Sequence, residues 1–150
     1  MSRFHFRLST LLRLREAARD QRRAELMEAY RVEEILQKQA ESVRREMDWL
    51  QQRSRRAAGP GTVNVDQLVE GQRYGLTLKS QLAETARQQE VVAGEIHRRR
   101  EVLLAADRDV RVLENLRDKQ SQQHREEEER QDQRQLDEVA TQSATRREVL

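Results

Sequence analysis

The sequence predicts an all-α protein: an elongated antiparallel two-helix coiled-coil hairpin in which the second helix is the longer. The chain has 37% charged, 35% hydrophobic and 3% aromatic residues, a composition typical of helices that bury one narrow apolar stripe. The helical pattern has one hard break, at Gly59-Pro60-Gly61, where glycine and proline indicate a turn. Strong apolar positions extend from this break back to Phe4 and forward to Leu116. Each arm therefore has about 56 residues that can face the other.

Helix one is predicted to span about residues 5–57. Its apolar residues recur every three or four positions, which places them on one face of a helix; they are Ala29, Val32, Leu36, Ala40, Val43, Met47 and Leu50. Nearer the N-terminus, Arg22 and Glu25 occupy positions where larger apolar residues are expected. We expect weaker packing around these two residues.

The hairpin loop is predicted at about 58–64, helix two at about 65–140 and a tail at 141–150, all within a single coiled-coil domain. Asn64 is suited to cap helix two, and Gln67 follows it at the spacing of a capping box. The apolar stripe of this helix follows the same three-four spacing, through Leu82, Val92, Ile96, Leu103, Ala106, Val110 and Leu113. Three polar residues interrupt it, namely Thr85, Gln89 and Arg99.

Helix two is predicted to continue beyond its apolar stripe. From Arg117 to Gln135 no side chain is apolar, and these about 20 residues, roughly 30 Å if helical, are expected to have no matching stretch of helix one. A short apolar turn follows, with Leu136, Val139 and Ala140. Such a stripe on a lone helix gains little unless another protein covers it. We therefore expect partner binding at this overhang, with a frayed tail as the alternative.

A second group of apolar and aromatic residues flanks the loop. Trp49 and Leu50 precede it, and four more follow it, namely Val69, Tyr74, Leu76 and Leu78. Two interpretations remain open at this stage. The residues either form a small cluster that closes the end of the hairpin, or they include an exposed docking patch on a mostly charged surface.

Several functional classes are not expected. The three histidines are scattered, the chain has no cysteine, and the glycines form no phosphate-binding loop, so no catalytic site, metal site or cofactor is predicted. The net charge is only +2, and most arginines have an acid within four residues, which argues against a nucleic-acid partner. No apolar run approaches the length of a transmembrane helix, and no secretory signal is expected.

The two chain ends together resemble the FliJ flagellar export protein family. The first matching segment is Phe4-His5-Phe6-Arg7-Leu8, followed by Leu11-Leu12-Arg13-Leu14-Arg15-Glu16. The second is Arg130-Gln131-Asp132-Gln133-Arg134-Gln135-Leu136-Asp137-Glu138-Val139-Ala140. Chain length and hairpin layout are also similar to this family, although the identifying motifs occupy only the terminal segments.

This resemblance implies a non-enzymatic component of the flagellar type III export apparatus. Members of the family are stalk-like coiled coils that bind the hexameric export ATPase and couple it to the membrane export gate protein, and they are also described as chaperone-escort factors for export chaperones. The implied location is the cytoplasm, with peripheral association at the cytoplasmic face of the inner membrane at the flagellar base. Two alternatives remain: a stalk protein of a virulence type III secretion system, and a generic structural or tethering coiled coil.

The resemblance also implies contact residues. Those facing the ATPase would be Phe4, Phe6, Arg7, Leu8 and Leu12 near one terminus, with Arg134, Gln135, Leu136, Asp137 and Glu138 near the other. Those facing the export gate would lie in the middle of the chain, at Val69, Tyr74, Leu76 and Leu78.

Overall fold

The protein is described by a computed structural model over residues 2–148, and it confirms the predicted all-α hairpin coiled coil. Helix α1 spans Ser9–Ala57 and helix α2 spans Val65–Glu148, with lengths of 49 and 84 residues. No strand occurs within the described residues. Neither helix, over that same range, has a segment long and apolar enough to cross a membrane.

The helix limits differ from the sequence prediction at both termini. Helix α1 begins at Ser9 and not near residue 5, and α2 continues to Glu148 instead of ending near residue 140. Most of the predicted tail is therefore helical, and its last two residues, 149 and 150, lie outside the described residues. The structure also divides the chain into two compact units. We call residues 21–103 the loop unit, and residues 2–20 with 104–148 the terminal unit.

In the loop unit, the two helices pack antiparallel along a narrow apolar seam. One buried cluster contains Leu26, Ala29 and Ile96, and Tyr30, Val92 and Leu103 pack against it. The direction follows from three polar contacts between the helices, which pair Glu25 with Arg99, Tyr30 with Arg100, and Glu46 with Tyr74. Positions closer to the loop on one helix thus meet positions closer to the loop on the other.

The polar residues that interrupt this seam have hydrogen-bond partners. The Thr85 hydroxyl is buried and donates to the Gln81 carbonyl at 2.9 Å. The Arg99 guanidinium donates to the backbone carbonyl of Glu25 and to the carboxylate of Glu95. Among the described residues no buried side-chain nitrogen or oxygen lacks a partner. The seam therefore includes polar groups without the free-energy cost of leaving them unsatisfied.

Around Arg22 and Glu25, ion pairing takes the place of apolar contact. Arg22 donates to both carboxylate oxygens of Glu25, at 3.1 and 3.4 Å. This hydrogen bond lowers the pKa of Glu25 below its ordinary value. Both side chains are partly accessible to solvent, so their ion pair adds little to the stability of the fold.

The terminal unit has its own apolar cluster. Phe6, Leu12, Val110 and Leu113 are buried together, with Phe4 and Leu116 packed against them. Arg15 on α1 approaches Asp109 on α2 with 3.6 Å between nitrogen and oxygen. The N-terminal aromatic residues are therefore part of the packing that joins α1 to α2 in this unit.

The loop between the helices uses the residues that the sequence marks for this role. Gly61 has a φ of 133°, a conformation that side-chain-bearing residues rarely adopt. Asn64 caps α2, since its side-chain oxygen accepts the Gln67 backbone N–H at 3.2 Å and its carbonyl accepts that of Leu68. Both features favour a sharp start of α2 at Val65.

Leu78 and Leu76 form a matched pair for testing the seam. Leu78 is 1% exposed and Leu76 is 63% exposed. We expect Leu78→Ala to lower the free energy of unfolding by about 2–4 kcal/mol, because it leaves a cavity. Leu76→Ala should cost less than about 1 kcal/mol. Urea unfolding followed by circular dichroism measures both, and equal losses would contradict the assignment of Leu78 to the seam.

Candidate functional site

Residues 2–6, which we call the N-terminal strap, precede α1 without helical structure and lie against α2. The Ser2 backbone N–H and hydroxyl both donate to the Glu128 carboxylate, at 2.9 and 3.1 Å. The His124 ring nitrogen Nε2 lies 3.1 Å from the Ser2 carbonyl oxygen, and the Phe4 and His124 ring centres are 5.7 Å apart. The strap is thus held by polar contacts at Ser2 and by apolar contacts at Phe4 and Phe6.

The strap changes where the unpaired part of α2 begins. The sequence predicted that residues 117–135 have no matching stretch of chain, but four residues between 117 and 128 are half-buried, namely Arg117, Ser121, His124 and Glu128. An extended chain advances about 3.3 Å per residue, against about 1.5 Å in a helix. The few residues before α1 therefore reach about twice as far along α2 as helical residues would.

Residues 129–148 form the free part of α2, which we call the C-terminal overhang. Every residue in it is exposed, including Leu136 at 69% and Val139 at 64%. These two side chains are three positions apart and lie on the same face of the helix. Threonine hydroxyls near its end bond back to the helix backbone, from Thr141 to Asp137 and from Thr145 to Thr141.

The residues predicted to face the ATPase divide by accessibility. Phe6 and Leu12 are buried in the terminal unit, and Phe4 is half-buried against its core. The side chains of Arg7 and Leu8 are exposed. The C-terminal set is exposed throughout, at Arg134, Gln135, Leu136, Asp137 and Glu138. Phe6 and Leu12 are therefore placed to position the strap and α1, whereas the others are accessible to a partner.

The residues predicted to face the export gate divide in the same way. Leu78 is buried in the seam, where a partner cannot reach it without opening the helices. Val69, Tyr74 and Leu76 are exposed, and Trp49 on α1 is 55% exposed. We call these four accessible residues the loop-end surface. The two interpretations of this region thus apply to different side chains, since some close the seam and others remain available for docking.

Two polar interactions orient the aromatic rings of the loop-end surface. The Tyr74 hydroxyl donates to the Glu46 carboxylate at 2.5 Å, and the Arg53 guanidinium lies 5.2 Å from the centre of the Trp49 ring. A shallow groove of about 240 Å³ separates the rings, with Gly71 among its lining residues. A Cβ at Gly71 would lie 3.3 Å from the Ser54 hydroxyl oxygen, so glycine permits the close approach of the helices here.

Sequence reasoning missed the strap contacts of His124 and Glu128. It treated His124 as one of three scattered histidines, because the residues of the strap that meet it are distant in sequence. A local signal was present in the spacing of His124 and Glu128, which lie on one helical face four positions apart. Within residues 2–148, no group of three His, Cys, Asp or Glu side chains could hold a metal ion.

The fold and its surfaces define a class of protein: a two-helix coiled coil whose accessible surfaces lie on a polar C-terminal overhang and beside the interhelical loop. The family model of the flagellar FliJ protein matches residues 4–149, and the chain belongs to this family. No curated protein and no solved structure matches the chain. Members of this family are non-catalytic components of the flagellar type III export apparatus. The family match confirms the resemblance that was based on the two terminal segments.

Tyr74 provides a pH-dependent probe of the loop-end surface. The hydrogen bond to Glu46 raises the pKa of the Tyr74 hydroxyl above its ordinary value of 10.0, because deprotonation would place two negative charges together. The stabilisation from this bond is present below the pKa of the unfolded chain and is lost as pH rises through the higher folded pKa. We expect Glu46→Gln to lower the pKa of Tyr74.

Phenolate absorbance measures this effect in a Tyr30→Phe background, which leaves Tyr74 as the single tyrosine. Asp48→Asn is the matched control, because it also removes an exposed acid from α1 near the loop. An unchanged Tyr74 titration in the Glu46 variant would show that the hydrogen bond is not formed in solution.

Proposed function

We propose that this export component is a stalk-like coiled coil that binds the export ATPase ring through its terminal unit and contacts the membrane export gate through its loop-end surface. The observation that carries the ATPase part is the C-terminal overhang, in which residues 129–148 are exposed and Leu136 and Val139 share one helical face. Most of a helix's stability in a protein comes from packing of its apolar face, and a partner that covers the face of the overhang supplies these missing contacts.

The residue types of the overhang support a contact with the ATPase ring that is weak enough to form and break. Its two large apolar side chains are surrounded by glutamine, acids and arginines, so a partner meets a small apolar centre within a polar surface. A stalk that works inside an ATPase ring needs contacts of moderate strength, because deep apolar docking would hold it in one orientation. Arg7 and Leu8, also exposed in the terminal unit, extend the proposed contact, and the buried Phe6 and Leu12 hold this region in place.

The gate contact is proposed at the loop-end surface. Tyr74 and Trp49 are among the few aromatic residues of the chain, and both are exposed together with Val69 and Leu76. Large accessible aromatic side chains beside a groove are frequent anchors of protein interfaces. The proposal excludes Leu78 from direct contact, because that residue is 1% exposed.

The family also supports a proposed role in escorting export chaperones, with a cytoplasmic location and peripheral association at the inner membrane beside the flagellar base. The overhang is long enough to contact both an ATPase and a chaperone in turn, since its 20 exposed residues extend over roughly 30 Å of helix. Competition between the two partners for the full chain would support one shared surface.

The ATPase contact is tested by Leu136→Asp combined with Val139→Asp. We expect binding to the export ATPase hexamer to weaken by at least about tenfold, because two apolar contacts are replaced by charges. Helicity and the urea midpoint should change little, because both side chains are exposed. Isothermal titration calorimetry with the ATPase measures the affinity, and unchanged binding would remove the overhang from the interface.

The gate contact is tested by Val69→Asp combined with Leu76→Asp, with the export gate protein held in detergent. We expect this variant to lose gate binding by at least about tenfold and to keep ATPase binding. The overhang variant should show the opposite pattern, so each serves as the matched control for the other. Loss of both activities in either variant would indicate damage to the hairpin and contradict two separate contact surfaces.

A further inference from the structure

One face of α1 near the loop is basic and has an aromatic residue at its centre. Arg45, Trp49, Arg53 and Arg56 follow one another at intervals of four, four and three residues, a spacing that places them on one side of a helix. All four are exposed, and Gln52 lies among them on the same side. We call this set the basic face; it has three positive charges, and two acids, Glu41 and Asp48, lie at neighbouring helical positions to Arg45 at one end of it.

Arg53 and Arg56 have no acid within four positions along α1, unlike most arginines of the chain. Many other arginines pair with an acid three or four positions away, as Arg87 does with Glu84 and Arg111 with Asp107. Within residues 2–148, no ion pair is observed for the three arginines of the basic face. Arg53 instead lies over the Trp49 ring. Glu70 of α2 lines the same groove as Arg53 without pairing with it.

Exposed apolar side chains also occur in the loop and at the first residue of α2. Val63 is 49% exposed and Val65 is 65% exposed, and Arg55, also exposed, lies in the last turn of α1. Unpaired arginines, an accessible tryptophan and protruding aliphatic residues are the combination found where proteins rest on a bilayer. The guanidinium groups bind headgroup phosphates, tryptophan lies at the headgroup level, and small apolar residues enter the acyl boundary.

We propose that the basic face and the adjoining loop bind the surface of an anionic lipid bilayer. Charge complementarity selects the occupant, since three unpaired arginines favour a surface with many phosphate groups. The exposed valines favour a bilayer over nucleic acid, because a nucleic-acid backbone offers no apolar layer to receive them. The lipid site shares Trp49 with the proposed gate contact, but it needs neither the ATPase contact nor Val69, Tyr74 and Leu76, because residues 45–65 form it.

The test uses the full chain and vesicles of phosphatidylcholine with or without phosphatidylglycerol. Trp49 is the single tryptophan of the chain, so its fluorescence reports on this surface directly. We expect co-sedimentation only with the anionic vesicles, together with a blue shift of the Trp49 emission. Each arginine near an anionic surface strengthens partitioning roughly fivefold. The triple variant Arg45→Gln, Arg53→Gln, Arg56→Gln should therefore lose about a hundredfold.

The matched control is Arg13→Gln, Arg31→Gln, Arg125→Gln, which removes the same charge from exposed positions elsewhere. It should weaken partitioning no more than a fewfold, because those residues lie far from residues 45–65 in sequence and outside the basic face. Val63→Ser with Val65→Ser should keep initial attachment and reduce the blue shift, since it removes the apolar side chains and leaves the arginines.

Four results would overturn the proposal. The first is failure of the intact chain to bind anionic vesicles. The second is equal loss of binding in the control and basic-face variants, which would indicate a general charge effect. The third is binding without a change in Trp49 emission, which would place the contact on another part of the chain. The fourth is a Trp49 response to inorganic phosphate alone that matches the response to vesicles, which would identify a soluble anion as the ligand.

Discussion

The narrowness of the seam between α1 and α2 is the constraint on which the other features depend. Two helices in contact can bury only one stripe each, and Leu78 and Val110, at 1% and 0% exposed, are the largest fully buried side chains. Polar residues are tolerated within the seam because they reach nearby acceptors, as Thr85 and Arg99 do. Within residues 2–148 the buried side chains form this narrow stripe and no thick core, so a partner binds to exposed helix surfaces and helix ends.

Periodicity predicted the fold because the seam follows the three-four spacing with few interruptions. The cap at Asn64 and the positive φ of Gly61 likewise depend on local chemistry that sequence expresses directly. For the N-terminal strap the prediction was wrong, because residues 5 and 6 are not helical. Phe4 and Leu8 are four residues apart, as in a helix, but Phe4 and Phe6 both join the apolar cluster of the terminal unit. Side chains two positions apart point the same way in an extended chain and not in a helix.

Burial could not be read from residue type alone at the candidate sites. Leu76 and Leu78 are identical side chains two positions apart on α2, yet one is exposed and the other is buried. Two positions along a helix are about 200° of rotation, so they face opposite directions, and only the position of α1 determines which one meets the seam. Leu8 and Leu12 are four positions apart, a spacing that would place them on one face of a helix, but α1 begins only at Ser9 and Leu8 lies in the turn before it.

Charge distribution also depends on this geometry more than on composition. Although the net charge of the chain is only +2, two of its surfaces differ in the sign and pairing of their charges. In the terminal unit, an acidic run at residues 126–129 is flanked by arginines, and Arg130 approaches Glu126 at 3.8 Å. On the basic face no acid of α1 lies within four residues of Arg53 or Arg56, and no ion pair of these arginines is observed within residues 2–148. Because unpaired charge interacts with a partner more strongly than charge already neutralised by a neighbour, the position of acids around the helix decides which surfaces can bind. The two helices thereby present surfaces with different partner chemistry, although both have the same backbone structure.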